Sequence, residues 1–130
     1  MNGKVQYAFR RPRFPIVCAV GDELISAGSS AAFKRQIDRF DFQAGKTFDI
    51  VDARGDGWAF HVDLGIVSPL TLKKRWTKAA VIRLFNESGN ARRTGAVYPE
   101  AFIPRRLLAR IITDVALLVA TAKAEPAIHV

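Results

Sequence analysis

Residues 47–62 read TFDIVDARGDGWAFHV, and this stretch decides the fold. Two runs rich in β-forming residues flank the segment Arg54-Gly55-Asp56-Gly57. An Asp-Gly pair between two such runs is a strong short-range signal of a β-hairpin, because tight hairpin turns need residues that tolerate positive φ. Leu64-Gly65 offers a second turn before Ile66-Val67. The sequence therefore predicts a three-stranded antiparallel meander over residues 46–68.

Further strands and helices are predicted on both sides of the meander. Residues 5–9 and 15–20 are rich in β-forming side chains and indicate two short strands. Three other segments place apolar residues at helical spacing after a residue that suits a helix N-terminus. These helices are predicted over about 30–40 with Ser29 or Ser30 as N-cap, over 77–88 with Thr77 as N-cap, and over 104–123 beginning at Pro104.

The order of these elements predicts an α+β fold, with a mostly antiparallel sheet of four to six strands and two to three helices packed on one face. A chain of 130 residues, 49% hydrophobic and 25% charged, fits a single compact domain over 1–130, with 124–130 as a frayed tail. The face of helix 104–123 is apolar enough to require burial, either on the sheet or against a second subunit. The second option predicts a homo-oligomer through this helix.

Cysteine content and hydropathy indicate the cellular setting. Cys18 is the single cysteine, so an intramolecular disulfide is excluded and a reducing, cytoplasmic location is favoured. No apolar run approaches the roughly 18 to 20 residues that a membrane span requires. We therefore expect no membrane partner.

The chain is basic, with 20 Lys and Arg against 12 Asp and Glu and a net charge of +8. Such a balance favours a polyanionic partner. Eight cations would track a phosphate backbone if they shared one surface, and Trp76 or Tyr98 would supply a stacking face. These cations are Lys73, Lys74, Arg75, Lys78, Arg92, Arg93, Arg105 and Arg106. The leading hypothesis is a small non-enzymatic binding module that contacts nucleic acid or an acidic protein, although a merely solvated basic face explains the same residues.

Two alternatives belong to other classes of function. One is a small-ligand-binding protein or an enzyme with a pocket between sheet and helices, lined by Trp58, His61 and Cys18. In an enzyme of this kind, the imidazole would activate the thiol if the two lay within hydrogen-bond reach. Cys18 lies in an apolar run, however, where a lone cysteine is more often a small buried hydrophobe. The other alternative is a homo-oligomeric structural or assembly subunit, which would bind neither a polyanion nor a small molecule.

The hairpin aspartates partly match a calcium-binding loop. Asp52, Asp56, Gly57 and Asp63 occupy positions 1, 5, 6 and 12 of an EF-hand template. Arg54 occupies position 3, where a cation repels calcium, and the flanks are predicted strands where an EF-hand needs helices. Two histidines and one cysteine also fall short of a zinc ligand set. The sequence thus predicts turn-capping aspartates, no metal, no cofactor and no catalytic residue set.

Overall fold

A computed structural model describes residues 4–70 and 75–122. Six strands form one sheet: β1 (Gln6–Tyr7), β2 (Ile16–Val20), β3 (Glu23–Ala27), β4 (Thr47–Val51), β5 (Gly57–His61) and β6 (Ile66–Pro69). Four α-helices accompany it: α1 (Ser30–Ile37), α2 (Lys78–Asn86), α3 (Gly89–Thr94) and α4 (Leu108–Thr121). The strand order is β1-β6-β5-β4-β2-β3, antiparallel throughout except for the parallel pair β1 and β6. The predicted α+β fold with a mostly antiparallel sheet is confirmed.

The central meander is formed by β4, β5 and β6, as the sequence predicts. The turn differs from the predicted tight turn at Asp56-Gly57: Val51 pairs with Gly57, which opens β5, so the turn has five residues, 52–56, and the positive φ of +88° is at Gly55. The second turn contains Gly65, with a φ of +62°, and brings β6 antiparallel to β5. A side chain with a Cβ is disfavoured at both glycines, because positive φ brings that atom close to the backbone.

Helices cover both faces of the sheet because β2 carries apolar side chains on both sides. On one face, Phe33 of α1 makes an edge-to-face contact with Phe60 of β5, with ring centroids 5.5 Å apart. On the other face, α2 and α4 pack over Val17 and Val51. Consecutive residues of β2 point to opposite faces, and both sets are apolar, so each face needs a cover. The position of α1 differs from the single helical face that the sequence predicts.

Helix α4 is shorter than the predicted helix over 104–123. It begins at Leu108 because the preceding chain makes tight turns in which the amides of Arg105 and Arg106 both donate to the carbonyl of Phe102. Its apolar face packs on the sheet and α2 within one chain, so burial of that face needs no second subunit. A homo-oligomer through this helix stays a prediction. No helix within residues 4–70 and 75–122 is long and apolar enough to cross a membrane.

Two short elements were not predicted from the sequence. Strand β3 follows β2 through a two-residue turn in which Gly21 has a φ of +60°. Helix α3 begins after Ser88, whose hydroxyl accepts the amide of Ala91 at 3.1 Å, and ends at Thr94, with Gly95 as its C-cap. The helix predicted over 77–88 therefore ends earlier, at Asn86, and Gly89 opens α3. The predicted frayed tail, 124–130, lies outside the described residues.

Candidate functional site

The carboxylate of Asp52 organises the β4–β5 turn. It is 1% exposed, and its Oδ1 accepts the backbone amides of Arg54 and Asp56 at 2.9 and 3.0 Å. Its Oδ2 accepts the amide of Arg13 at 3.1 Å and the indole Nε1–H of Trp58 at 3.0 Å. Asp52 therefore acts as a buried turn cap. Within the described residues, no group of three or more His, Cys, Asp or Glu side chains could hold a metal ion.

The segment that follows β1 lies against this turn. The amide of Ala53 donates to the carbonyl of Arg13 at 2.8 Å. The guanidinium of Arg10 lies 4.5 Å from the centre of the Trp58 ring, and its Nη1 is 3.8 Å from Oδ2 of Asp56. These contacts bring two arginines from near the N-terminus of the chain to the tip of the central hairpin.

The start of α4 and the segment before α2 reach the same turn. A Cβ added to Gly55 would lie 2.5 Å from Cδ2 of Leu108, so the turn and the helix are in close contact. The amide of Trp76 donates to the carbonyl of Gly55 at 2.8 Å. Beside it, Nε of Arg75 lies 3.4 Å from Oδ1 of Asp56. An open cleft of about 430 Å³ is lined by Ala53, Arg54, Asp56, Arg75 and Ala109.

Exposed arginines thus gather at one end of the molecule, which we call the arginine end. Its members are Arg10, Arg11, Arg13, Arg54, Arg75 and Arg105, all of them exposed. Arg11 belongs to it by its place in the chain between Arg10 and Arg13, and its guanidinium lies 5.2 Å from the centre of the Tyr7 ring. Arg105 lies three residues before Leu108, which contacts the turn at Gly55, so the Cα atoms of Arg105 and Leu108 are at most about 11 Å apart. Asp56 pairs with two of the arginines over long contacts and offsets one unit of their charge, while both guanidinium groups stay more than half exposed. The first turn of α4 has no side-chain cap and adds its own positive potential.

Of the eight cations that the sequence assigned to a polyanion surface, the six that the structure describes do not share one surface. Arg75 and Arg105 belong to the arginine end, whereas Lys73 and Lys74 lie outside the described residues. Lys78 donates its Nζ to a backbone carbonyl in the loop before α4 at 3.0 Å. Its ammonium group therefore stabilises that loop.

Arg92 and Arg93 are engaged on α3, at the opposite end of α2 from Arg75. The first pairs with Asp22 and the second with Glu23, which lie at the turn between β2 and β3. Nη1 of Arg92 also donates to the carbonyl of Glu87 at 2.7 Å. These two arginines fasten α3 to the edge of the sheet.

Arg106 belongs to a polar cluster that attaches the loop before α4 to that helix. Its Nη1 donates to Oδ2 of Asp114 at 2.6 Å and to the hydroxyl of Tyr98 at 3.1 Å, and its guanidinium lies 3.6 Å from the centre of the Phe102 ring. Burial, followed by the hydrogen bond that it donates to Asp114, raises the pKa of Tyr98. Burial also opposes ionisation of Asp114, but hydrogen bonds from Tyr98, Arg110 and Arg106 outweigh it and lower the pKa of this carboxyl.

Asp114→Asn is expected to lower the urea midpoint of unfolding at neutral pH and to change it much less at pH near 3. A carboxyl whose pKa is depressed in the folded state stabilises that state above its ordinary pKa of 3.8, and the contribution disappears as pH falls through the folded value. Urea titrations of both proteins at the two pH values measure this difference. An equal loss at both values would contradict the ionic role.

The structure does not bring Cys18, His61 and Trp58 to one pocket. Cys18 and Trp58 are both fully buried in the cluster between the sheet and α1. His61 lies on the opposite face of β5, where its Nε2 is 2.9 Å from the hydroxyl of Ser68. Burial, with a smaller contribution from Asp49, raises the pKa of the Cys18 thiol far above neutrality. The thiol is therefore protonated and inaccessible.

Sequence reasoning missed four members of the site: Arg10, Arg11, Arg13 and Arg54. A signal was present, because Lys4 and the three arginines of residues 10–13 give the first 13 residues a charge of +4. The three arginines lie between the predicted strands over 5–9 and 15–20, and they were not grouped with the other cations. Only the contact between residues 10–13 and the β4–β5 turn shows that it adds to the charge of the hairpin tip.

Comparisons with protein-family models, with curated protein sequences and with solved structures find no match to this chain. The function is therefore inferred from the geometry of the arginine end.

Proposed function

We propose that this protein is a small, non-enzymatic binding module whose arginine end holds the phosphate backbone of a nucleic acid. The supporting observation is the convergence of six exposed arginines from four segments of the chain, of which Arg10 and Arg75 pair with Asp56. Guanidinium groups suit this role, because their planar forks donate two parallel hydrogen bonds to phosphate oxygens. We place this activity in the cytoplasm, in keeping with a single, buried cysteine.

The arrangement of these arginines favours an extended ligand. They lie on both sides of the hairpin tip: Arg10 contacts Trp58 on the α1 face, while Arg75 and Arg54 line the cleft beside α4. A chain of regularly spaced phosphates can cross such a tip and contact cations on both sides. An acidic protein segment is the competing ligand, and poly-glutamate represents it in the binding experiment.

Binding is measured by fluorescence anisotropy with a labelled mixed-sequence oligonucleotide of about 20 nucleotides, at salt concentrations from about 50 to 200 mM. We expect the logarithm of the association constant to fall linearly with the logarithm of salt concentration, because each neutralised phosphate releases counterions. Absence of binding at the lowest salt, or affinity that salt leaves unchanged, would contradict the proposal. Tighter binding of poly-glutamate at equal charge would assign the surface to an acidic protein instead.

Reversing two charges of the arginine end provides the mutational test. Arg54→Glu with Arg75→Glu is expected to weaken oligonucleotide binding about tenfold or more at low salt and to reduce the salt slope. The control combines Arg35→Glu on α1 with Lys46→Glu, which lies at the other end of β4, about 17 Å away by strand rise. Each substitution removes two charges, so both variants carry +4 where the parent carries +8. Equal losses in the two variants would show that net charge alone is responsible.

A further inference from the structure

Phe9 has an unusual backbone and an unusual exposure. Its side chain is 95% exposed, and its φ is +70°, in the left-handed region that residues other than glycine seldom adopt. The amide of Arg10 donates to the carbonyl of Ala8 at 2.8 Å, which closes a three-residue γ-turn with Phe9 at its centre. A γ-turn with positive φ is rare and strained. Such strain persists only where the surrounding contacts impose it.

Contacts on both sides of Phe9 impose this conformation. On one side, the amide of Ala8 donates to the carbonyl of Val67 at 2.9 Å, which continues the pairing of β1 with β6. On the other side, Arg10 is held between the Trp58 ring and Asp56. The fold thus fixes the residues around Phe9 and directs its ring to solvent.

The topology places Phe9 at the arginine end. Strand β1 runs parallel to β6, and the last residue of β6, Pro69, pairs with Trp58 beside the β4–β5 turn. The chain that leaves β1 therefore arrives at the hairpin tip, with Phe9 directly before Arg10 and Arg11. Neighbouring aromatic side chains behave differently, because Tyr7 and Phe14 are partly buried against the core. Core packing accounts for those two rings and leaves the exposure of Phe9 unexplained.

We propose that Phe9 is a stacking platform for the bases of a single-stranded nucleic acid whose phosphates the arginine end holds. This inference rests on the proposed function and narrows its ligand. Proteins that bind single strands combine a basic surface with exposed aromatic rings, because every base has a π-face to stack on. Bases in a duplex are stacked on one another and do not offer that face. The site should therefore prefer single strands to duplex DNA.

The experiment compares Phe9→Ala with Phe9→Trp on three labelled ligands: oligothymidine of about 15 nucleotides, a duplex of equal length, and inorganic polyphosphate. Phe9→Ala is expected to weaken oligothymidine binding about tenfold and to leave polyphosphate binding within about twofold. Phe9→Trp should retain oligothymidine binding, and its new indole should be quenched on stacking. Leu64→Ala is the control, because Leu64 is also exposed but lies at the opposite end of the sheet.

The outcomes separate this inference from the proposed function. If Phe9→Ala binds oligothymidine like the parent while Arg54→Glu with Arg75→Glu does not, the stacking role is overturned and the phosphate site stands. If the parent binds neither oligothymidine nor polyphosphate at low salt, both proposals fail. If Phe9→Ala weakens the binding of poly-glutamate as much as the binding of oligothymidine, the ring contacts an acidic protein and the stacking role is again overturned. Preservation of the unfolding midpoint in Phe9→Ala excludes a folding defect as the cause of its loss.

Discussion

Asp52→Ala is expected to lower the free energy of unfolding by about 3 to 5 kcal/mol. The substitution removes one buried carboxylate and leaves three backbone amides and the indole of Trp58 without their acceptor. Trp58 is fully buried, so water does not replace the lost partner of its Nε1–H. Urea unfolding followed by tryptophan fluorescence measures the loss.

Asp63→Ala is the matched control for this prediction. Asp63 is exposed and accepts the amide of Gly45 at 2.9 Å, so its removal should cost less than about 1 kcal/mol. Similar losses for the two aspartates would contradict the role assigned to Asp52. Because Asp52 also fixes the backbone of Arg54 and Arg13, Asp52→Ala should weaken oligonucleotide binding at temperatures where it remains folded.

Asn90→Ala is expected to lower the free energy of unfolding by about 2 to 4 kcal/mol. The buried Asn90 side chain links three elements: its Oδ1 accepts the amide of Leu24 at 2.7 Å, and its Nδ2 donates to the carbonyls of Leu24 and Ala122 at 3.0 and 2.7 Å. Alanine would leave these buried backbone groups unsatisfied where α3, β3 and the end of α4 meet. Chemical denaturation measures the loss.

Asn86→Ala provides a graded comparison. Asn86 also bonds a backbone amide and a carbonyl, both of Tyr98, but the site is only partly buried. Asn86→Ala should lower the free energy of unfolding less than Asn90→Ala does, because water reaches the freed backbone groups of Tyr98. Hydrogen exchange adds a specific signature: the Leu24 amide should lose protection in Asn90→Ala and keep it in Asn86→Ala. An unchanged Leu24 amide in Asn90→Ala would refute the link.

Local chemistry explains why the predicted elements were found. The hairpin over residues 47–61 follows from glycine in the turn and alternation in the strands, both of which act between neighbours in sequence. The N-caps Ser29 and Thr77 accept amides three residues later, at 3.1 Å in each case. Strand β3 was missed although Gly21-Asp22 is a two-residue turn, because the mixed polarity of Glu23–Ala27 hides its alternation.

Two of the cations that the sequence assigned to a polyanion surface, Arg75 and Arg105, lie at the arginine end, and its other members come from segments that were not assigned to that surface. A net charge of +8 follows from the sequence, whereas the charge that remains available to a ligand depends on which carboxylates fold against the cations. Arg92 and Asp22, which the fold pairs, are separated by 70 positions. Arg10 and Arg13 lie at the arginine end because they contact a turn that is about forty residues away in sequence.

The sequence by itself determined the meander, the helix N-caps, the α+β class and the basic character of the protein. Each of these depends on composition or on interactions that span a few residues. Only the tertiary structure decided the parallel pairing of β1 with β6, the division of helices between two faces and the position of Phe9 beside the arginines. These features arise from packing of apolar faces that are distant in sequence, and local propensity carries no information about which faces will meet.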